Sequence, residues 1–404
     1  MGLRIASLSN SKAAVRLSGV KNIFSELQDW RGAKGSRENL VWMHCASLGE
    51  FEQGRPVIEK IRAAYPSYKI LITFFSPSGY EVRKNYPGAD GIFYLPADGK
   101  KYAEKFIDII KPSLVIWVKY EYWYYYLNGL KQKNIPILLV SAIFRESQPF
   151  FKFYGRLWRN MLGCFNKIFV QNKESIGLLN SISMGENAIL AGDTRFDRVT
   201  DNAEREDLFP DKLKQFCKGS RVIVAGSTWQ EDDEEIVHYI KTHPDIKLII
   251  APHETDSERL KEIKKLFGNA IFYSELKENS DTQVIIIDNV GMLSGLYALA
   301  DVAYIGGGFN ASGIHNILEA AVFGKPVIFG PVYEKFQEAK DLVNADGAFA
   351  IQNALDLEAI FHKLLNNALL LYETGSICKE YVYEKRGATD RIMQYIQANR
   401  LLIN

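Results

Sequence analysis

The chain has 404 residues, enough for two or three domains, and its 47% hydrophobic and 24% charged content excludes a mainly disordered chain. The 49 Lys and Arg residues against 48 Asp and Glu residues leave a formal charge of +1. This lacks the global basic footprint of a nucleic-acid-binding protein, so we expect no nucleic-acid partner. The four scattered cysteines form no CxxC pair, which argues against a zinc site or a disulfide framework and favours a reducing compartment.

In the first half of the chain, short β-branched and aromatic runs alternate with helix-length stretches. The runs are apolar without alternation, which indicates parallel strands buried on both faces of a sheet. Right-handed crossovers between such strands give a doubly wound fold. The predicted strands are 40–45, 69–74, 91–95, 113–118, 136–141, 167–171 and 188–192.

A polar stretch at 193–220 then reads as a linker and a leading helix, and a second βα series follows it. We therefore predict an α/β chain with domains at 1–200 and 201–385 and a final helix at 386–404 that packs back on the first domain. Two such domains facing each other across a deep cleft would direct their strand-end loops toward it. The second series of strands is predicted at 221–226, 247–252, 270–273, 284–288, 301–307, 326–330 and 348–351.

The segment HCASLGE follows the first predicted strand and opens a helix. One interpretation is a capping box, with Ser47 at the N-cap and Glu50 three residues later. The other is that Glu50 is a general base at the strand end, where Gly49 lets the backbone approach a ligand. Local spacing alone leaves both interpretations open.

The segment TFFSPSG follows the second strand. Its hydroxyl groups, Ser76 and Ser78, and the nearby Gly79 suit a helix N-terminus that could receive an anion. An ordinary strand-to-helix turn would have the same composition.

The strongest local signal is the segment YIGGGFNASGIHNILEAA at 304–321. A strand runs into a triple glycine, and a helix is predicted to begin near His315. The glycines would expose backbone N–H groups to a phosphate, while Asn316 and Glu319 would share a helix face and meet phosphate or ribose. The segment has no GK[ST], which excludes a Walker A loop. A glycine-rich turn followed by a capped helix is the alternative.

Three smaller loops of the second domain fit the same site. In AGSTW and APHE, two further strands end, and in DNVGMLSG the backbone at a helix start could read a base edge. The run DDEE at 232–235 is interpreted as a solvated helix start. The candidate residues in these loops are Gly226, Ser227, Pro252, His253, Val290, Gly291 and Met292.

Taken together, HCASLGE, TFFSPSG, KYEYW, AGDTRFDR, VAGSTW, IAPHE, DNVGMLSGLY and GGGFNASGIHNILEAAVFGKPVIFGP resemble the bacterial 3-deoxy-D-manno-octulosonic acid (Kdo) transferases, collinearly from about residue 39 onward. The resemblance implies a GT-B fold of two Rossmann-like domains, the first for the acceptor and the second for the CMP-sugar. It also implies inverting, metal-independent transfer of Kdo from CMP-Kdo to the lipid A precursor. No cofactor is expected, and the reaction is expected at the cytoplasmic face of the bacterial inner membrane.

The resemblance also assigns roles to residues. It makes Glu50 the general base and places CMP contacts on Pro252 and His253, on Val290 to Met292, and on Asn316 to Glu319, a segment that includes Ile317 and Leu318. Where members usually show Pro-Arg-His, this chain has Pro252-His253-Glu254, so an expected arginine is missing. The usual Gly-Gly-His-Asn is Gly313-Ile314-His315-Asn316 here.

An acceptor with phosphates and acyl chains needs cations beside apolar surface. The aromatic run at 148–158 is a candidate for the apolar part: at helical spacing Phe151, Tyr154 and Trp158 share one side, with Lys152, Arg156 and Arg159 on a neighbouring stripe. The alternative is that these rings pack in the core. The charged candidates of the acceptor site are Arg55, Lys119, Glu121, Arg145 and Arg195, beside Ser47, Gly49, Ser76, Ser78 and Gly79.

Family members usually begin with a hydrophobic membrane anchor, whereas no stretch of this sequence has the roughly 18 apolar residues of a spanning helix. The opening residues resemble the stretch after such an anchor, so we expect a chain that starts downstream of it behind an added Met-Gly; a natural peripheral protein is the alternative. Two other functions stay open: a different GT-B enzyme using a UDP-sugar, or a non-catalytic nucleotide-binding protein at the membrane surface.

Overall fold

A computed structural model describes residues 11–33, 39–205, 209–277 and 280–403. The Met-Gly prediction falls on residues 1–2 and lies outside the described residues. The chain divides into two compact units. The N-terminal unit holds the chain up to Arg198 and again from Arg386, and the C-terminal unit is Val199–Lys385.

The N-terminal unit is built on a seven-stranded parallel sheet of order β3-β2-β1-β4-β5-β6-β7. Its strands are β1 (Leu40–Cys45), β2 (Lys69–Phe74), β3 (Gly91–Tyr94), β4 (Leu114–Val118), β5 (Ile137–Ala142), β6 (Lys167–Val170) and β7 (Ala188–Leu190). Its helices are α1 (Ser11–Gly19), α2 (Ile23–Ala33), α3 (Leu48–Ala64), α4 (Pro77–Arg83), α5 (Lys100–Ile110), α6 (Tyr124–Gln132), α7 (Arg156–Leu162) and α8 (Lys173–Ser181), with 3-10 turns at Pro149–Phe151 and Gly185–Asn187.

Alternate residues of each strand enter two different cores, as the period of two in a strand requires. Trp42 and Trp117 face the core that α2, α5 and α6 cover. Met43 and Ile116, their immediate neighbours, face the core that α3 covers. Both faces of the sheet are therefore buried, which explains why the strands read as continuous apolar runs.

The C-terminal unit repeats this architecture with the order β10-β11-β9-β8-β12-β13-β14. Its strands are β8 (Arg221–Thr228), β9 (Ile246–Pro252), β10 (Ala270–Phe272), β11 (Val284–Ile286), β12 (Val302–Ile305), β13 (Val327–Phe329) and β14 (Ala348–Ala350). Helix α9 (Thr194–Ala203) crosses the boundary, and α10 (Asp211–Cys217), α11 (Gln230–Thr242), α12 (Ser257–Phe267), α13 (Leu293–Leu296), α14 (Leu318–Ala321), α15 (Gln337–Asn344), α16 (Ala354–Leu365) and α17 (Ala368–Glu384) follow, with 3-10 turns at Tyr273–Glu275 and Tyr297–Leu299.

The chain returns to the N-terminal unit through its last helix, α18 (Ala388–Ala398). The Asp197 carboxylate accepts the backbone N–H groups of Gly387, with Oδ1 at 2.5 Å, and of Thr389, with Oδ2 at 2.6 Å. Ile392 and Ile396 then complete the core beneath α3. A buried carboxylate at a helix N-terminus satisfies N–H groups that would otherwise lack partners.

The α/β prediction of two doubly wound sheets is confirmed, since every predicted strand is present to within a few residues. The facing arrangement of the two domains stays a prediction. None of the described helices combines the length and the hydrophobicity needed to cross a bilayer.

Candidate functional site

The loop after β1 places Glu50 in the first turn of α3. Ser47 is the N-cap, and its Oγ accepts the N–H of Glu50 at 3.4 Å. The Glu50 Oε2 accepts the N–H of Ala46 at 2.5 Å, so the reciprocal half of the predicted capping box falls one residue before the N-cap. A Cβ on Gly49 would meet no atom within 4 Å beyond its chain neighbours and the backbone of its own helix, so α3 is open to its surroundings at Gly49.

The environment of Glu50 favours its neutral form. Burial, with a smaller contribution from the nearby Glu121, raises the pKa of this carboxyl to about 7, although the N–H groups of Ala46 and Tyr120 and the Lys119 ammonium oppose the shift. A carboxylate whose pKa lies near neutrality can take up and release a proton at physiological pH. Glu50, Lys119 and Glu121, all predicted from the sequence, are thereby brought together.

Two indole groups and a histidine hold the loop at 119–123 in place. The Trp117 Nε1–H donates to the carbonyl of Glu121, and the Trp123 Nε1–H donates to His44 Nε2 at 3.3 Å. Burial lowers the pKa of His44 to about 3, so its ring is neutral and can accept this hydrogen bond. Lys119 has a φ of 61°, a left-handed conformation that costs a non-glycine residue free energy and is common at functional sites.

The loop after β2 is a short cap. Ser76 is the N-cap of α4, its Oγ accepts the N–H of Ser78 at 3.3 Å, and the two hydroxyl oxygens lie 2.8 Å apart. A Cβ on Gly79 would lie 2.3 Å from the Phe74 ring, so this glycine is required for packing. These contacts explain Ser76, Ser78 and Gly79 without a ligand.

The predicted acceptor cations differ in their partners. Arg55 contacts Glu59, with Nε to Oε1 at 2.7 Å, and Arg195 contacts Asp193 at 2.8 Å. The Arg145 guanidinium lies 5.9 Å from the centre of the Tyr120 ring. Burial raises the pKa of the Tyr120 phenol, and the Arg145 charge opposes this shift. Arg55 and Arg195 are thus engaged in ion pairs, whereas Arg145 lies beside the loop that faces Glu50.

The aromatic run at 148–158 departs from the prediction of one helix. The 3-10 turn Pro149–Phe151 ends before α7 begins at Arg156, so the run is not one helix. Phe150 is 2% exposed and packs in the core. Phe153 and Tyr154, at 96% and 60% exposure, form the surface between the two elements. Phe151, Tyr154 and Trp158 therefore do not share one helical face, and the helical pattern was wrong here.

In the C-terminal unit, the triple glycine is tightly packed. A Cβ on Gly306 would lie 2.4 Å from the carbonyl oxygen of Ser227, and one on Gly308 would lie 2.5 Å from the N atom of Gly330. Close approach of neighbouring backbones therefore requires these glycines. Gly307, between them, has a φ of 92° and donates its N–H to Asp232 Oδ2 at 2.8 Å.

The two acidic residues that begin DDEE are buried, so the prediction of a solvated helix start was wrong. Asp232 is 1% exposed and accepts hydrogen bonds from Trp229 N–H, Gly307 N–H and the Tyr304 hydroxyl, each at 2.8 Å. Asp233 is fully buried and pairs with Arg259. Tertiary partners keep these carboxylates inside.

The segment 316–319 also differs in detail from the prediction. Helix α14 begins at Leu318, not near His315, and its N-cap is Ile317. The Asn316 Oδ1, one residue before the N-cap, accepts the N–H of Leu318 at 3.2 Å. Asn316 therefore precedes the helix, and its Nδ2 donates to Glu319 Oε1 at 3.2 Å. Ile317 and Leu318 are buried, so only their backbone could reach a ligand.

Three rings stack beside this segment. The His253 ring lies 4.7 Å from the Trp229 ring and 4.5 Å from the His315 ring, both nearly parallel. The Trp229 Nε1–H donates to His315 Nε2 at 3.2 Å, and burial lowers the pKa of His315 to about 4. Pro252, which ends β9, precedes this stack and is buried.

The remaining predicted loops also end strands. Ser227 has a φ of 55° and Gly226 lies against Tyr297, where a Cβ would lie 1.9 Å from the hydroxyl. Gly291 has a φ of 103° with open space around its missing Cβ, between the 86%-exposed Val290 and Met292, the N-cap of α13. Of these, Gly291 has the conformation that suits close approach of a ligand to the backbone.

Several residues to which the sequence assigned no role complete the contacts around Glu50 and around the His253 ring: His44, Tyr120, Trp123, Trp229, Asp232 and His315. Asp232 follows Trp229 by three residues, the spacing of a capping box, and this was the one local signal available. Within the described parts of the chain, no group of three or more His, Cys, Asp or Glu side chains could hold a metal ion.

Comparison with known families and curated proteins gives a consistent relationship. The family model described as 3-deoxy-D-manno-octulosonic-acid transferase (kdotransferase) matches residues 21–198. A 3-deoxy-D-manno-octulosonic acid transferase of Rickettsia felis is 30% identical over 376 residues, which cover 89% of this chain and 79% of that protein. A bifunctional glycosyltransferase/methyltransferase of Fusobacterium nucleatum is 31% identical over 94% of this chain, and the chain spans 57% of its length.

Solved structures show the same architecture. The UDP-GlcNAc 2-epimerase of Neisseria meningitidis bound to UDP-GlcNAc has a TM-score of 0.62 at 16% sequence identity. The match covers 89% of this chain and all of the other. At this identity the likeness shows a shared fold and says nothing of the substrate.

Proposed function

This chain belongs to the family of the 3-deoxy-D-manno-octulosonic acid (Kdo) transferases and is a glycosyltransferase of the GT-B type, and on that premise we propose that it transfers Kdo from CMP-Kdo to the lipid A precursor in lipopolysaccharide synthesis. An acceptor hydroxyl attacks the anomeric carbon of Kdo as the bond from that carbon to the CMP phosphate breaks. A single displacement of this kind inverts the configuration at that carbon.

The observation that carries the proposal is the state of Glu50. Its carboxyl lies in the first turn of the helix that follows β1, and burial raises its pKa to about 7. A general base must be charged before the reaction and must accept a proton during it, and a pKa near the working pH serves both needs. Glu50 would take the proton of the acceptor hydroxyl as the new bond forms.

The donor is proposed to bind at the strand-end loops of the C-terminal unit. His253 offers a ring face above Trp229 and His315, and the loop at Gly291 offers exposed backbone. The Asn316 and Glu319 side chains provide an amide and a carboxylate that suit ribose hydroxyl groups. CMP leaves with one phosphate, so less charge needs neutralising than for a diphosphate, and we propose a reaction without a metal ion.

We further propose that the enzyme works at the cytoplasmic face of the inner membrane, where its acylated acceptor lies. The support is the surface of Phe153, Tyr154 and Leu157, which are 96%, 60% and 51% exposed beside the exposed Arg156. The Arg159 Nη1 donates to the carbonyls of Phe150 and Lys152 and fixes this loop. Exposed aromatic and basic side chains suit the headgroup region of an anionic bilayer.

Incubation with a CMP-Kdo source and the lipid A precursor, followed by mass spectrometry, tests the reaction. We expect the acceptor mass to rise by one or more Kdo units, and an excess of EDTA to leave the rate unchanged. Thermal shifts with CMP and with UDP separate this donor from a UDP-sugar, because a ligand that binds the folded state raises its stability. Stabilisation by UDP alone, without Kdo transfer, would contradict the proposal.

Liposome co-sedimentation tests the membrane surface. Binding should rise with anionic lipid, fall with salt, and drop severalfold in the Phe153→Ser/Tyr154→Ser variant. The matched control is Tyr372→Ser, which removes a 74%-exposed ring from the C-terminal unit. Equal loss in the control, or no binding at any salt concentration, would remove this loop from the membrane contact.

A further inference from the structure

The first described helix carries an arginine that is almost completely buried. Arg16 of α1 is 3% exposed, and its guanidinium lies 3.8 Å from the centre of the Phe75 ring. Its Nε donates to the Phe75 carbonyl at 2.9 Å and its Nη2 donates to the Leu95 carbonyl at 3.0 Å. Phe75 and Leu95 directly follow strands β2 and β3, so both carbonyls lie at the carboxyl ends of the strands, as does Glu50 after β1.

This burial is unusual for a charged side chain. Among the described residues, no carboxylate pairs with Arg16, and burial lowers the pKa of its guanidinium. A buried cation without an anion is costly, and an apolar side chain of similar length would fill the same volume without that cost. We therefore look for the role of the guanidinium in the groups that it holds in place, which are the Phe75 and Leu95 carbonyls and the Phe75 ring.

The Phe75 ring connects Arg16 to the 119–123 loop beside Glu50. The Phe75 ring, under the guanidinium, packs against the Trp123 ring with centroids 5.0 Å apart. The Trp123 indole N–H donates to His44, whose Nδ1 lies 2.9 Å from Thr73 Oγ1. Since Nε2 accepts from Trp123, the ring proton of neutral His44 lies on Nδ1 and is shared with Thr73.

The loop thus held has a direct contact with the proposed base. Trp123 is the N-cap residue of α6 and closes the 119–123 loop, and the N–H of Tyr120 in that loop faces the Glu50 carboxylate. A displaced loop would move this N–H and the neighbouring Lys119 ammonium away from Glu50. Small displacements of groups around a reacting centre cost large factors in rate.

We propose that Arg16 is a positioning residue for the transfer reaction, acting through Phe75, Trp123 and His44 to fix the 119–123 loop against Glu50. The inference rests on the proposed function, since it takes Glu50 as the base. It gives α1 a part in the chemistry: this helix holds the strand-end loops of the acceptor side in their reactive arrangement.

The test uses Arg16→Met and Arg16→Lys in the full chain, with Lys21→Met as a matched control that removes an exposed cation close to α1. We expect kcat to fall about tenfold to a hundredfold in Arg16→Met while the KM for CMP-Kdo stays within about twofold. Arg16→Lys should recover part of kcat, because it keeps the charge and loses the planar fork. Hydrogen exchange should rise at 75–79 and 119–125 and stay unchanged in the C-terminal unit.

Trp123→Phe provides an independent variant if Arg16→Met folds poorly. It keeps a ring against Phe75 and removes only the donor to His44, and we expect a comparable fall in kcat. The double variant should lose little more than the larger single loss, since both changes break one connection. Additive losses, or an unchanged kcat in either folded variant, would overturn the proposal.

The outcome also separates the two levels of inference. A wild-type chain that fails to transfer Kdo contradicts the proposed function, whatever the exchange data show. An active wild-type chain with unaffected Arg16 variants contradicts only the positioning role. Faster exchange at 119–125 with unchanged kcat would likewise make Arg16 purely structural.

Discussion

The two units place a carboxylate at the same point of the same architecture. Glu50 follows β1 and Asp232 follows β8, each in the first turn of the helix after the first strand of its unit. Burial raises the pKa of both. They differ in what surrounds them. Asp232 has three hydrogen-bond donors at 2.8 Å, whereas Glu50 has the N–H of Ala46 at 2.5 Å and that of Tyr120 nearby.

The number of hydrogen-bond donors distinguishes Asp232, which stabilises the fold, from Glu50, the proposed general base. The donors of Asp232 come from Trp229, Tyr304 and Gly307, so it ties a helix start, a strand and the glycine loop together. A carboxylate can accept about four hydrogen bonds, and Glu50 keeps capacity for a substrate proton. Position in the fold therefore does not by itself distinguish the two carboxylates, whereas the number of hydrogen-bond donors around each of them does.

The two units also share a hydrogen-bonded tryptophan–histidine pair whose surroundings differ. In each unit, a tryptophan indole donates to the Nε2 of a histidine whose pKa burial lowers: Trp123 to His44, and Trp229 to His315. In the N-terminal unit the pair is covered and supports a loop. In the C-terminal unit it supports the exposed His253 ring, which a base could meet.

The largest expected effect is that of Glu50→Gln, which should lower transfer about 10²- to 10⁴-fold while CMP binding and folding stay intact, because the amide cannot accept a proton. The measurement is the rate of Kdo transfer with CMP affinity by calorimetry. Glu59→Gln, on the exposed side of the same helix, is the control. Retention of more than roughly a tenth of the activity, above that range, would leave Glu50 as a cap.

Asp232→Asn should act on stability. The amide oxygen can still accept both N–H groups that bond to Oδ2, but the charge is lost, and a hydrogen bond to a charged group contributes about 1.5–3 kcal/mol against about 0.5–1.5 kcal/mol for a neutral one. We expect the free energy of unfolding of the C-terminal unit to fall by that order in denaturant titrations. Asp245→Asn, at an exposed site of the same unit, should change nothing. An unchanged stability with lost transfer would reverse the comparison and make Asp232 the chemical group.

Asn316→Ala and Glu319→Ala should each weaken CMP binding about tenfold to a hundredfold, the range for losing a hydrogen bond to a charged group. Because the two side chains are hydrogen-bonded to each other, the double variant should show less than the summed loss. Calorimetry measures all three affinities. Unchanged CMP affinity in both single variants would move the nucleotide site to other loops.

The pH dependence gives a smaller effect that concerns Glu50 alone. A base with a pKa of about 7 must lose its proton to act, so kcat/KM should rise about tenfold from pH 6 to pH 8. Stability has the opposite sign: between about pH 4.5 and 7 the folded state keeps a proton that the unfolded state releases, so the wild type should lose stability relative to Glu50→Gln as pH rises. A flat rate profile through pH 7 would contradict the assignment.

The sequence predicted the strands and their loops well because their signal is local. Runs such as LVWMHC and KILITF become β1 and β2, since central parallel strands are apolar on both faces. Ser47 as an N-cap followed from its place after a strand. The place of Tyr120 beside Glu50 was not predicted, because the loop after β4 reaches Glu50 only through the pairing of β1 with β4.

The failures also have physical causes. Phe151, Tyr154 and Trp158 fit one helical stripe by spacing, yet the backbone turns at Gly155, where a Cβ would lie 2.1 Å from the Pro149 carbonyl. Asp232 and Asp233 look solvent-exposed in a run of acids, but Tyr304 and Arg259, distant in sequence, satisfy them in the interior. Burial of polar groups by tertiary partners has no local signature.

The return of α18 to the first sheet sets the order of events during synthesis. The core beneath α3 includes Ile392, Met393 and Ile396, which are synthesised after the whole C-terminal unit. The whole C-terminal unit is therefore made before the N-terminal unit can close, and one face of the first sheet must wait with apolar side chains uncovered. Domains generally fold in the order of their synthesis, whereas the core of this N-terminal unit is complete only after the C-terminal unit has been made. A chain arrested before residue 388 would present that face to chaperones, and shortening the C-terminus would disturb the unit at the opposite end of the sequence.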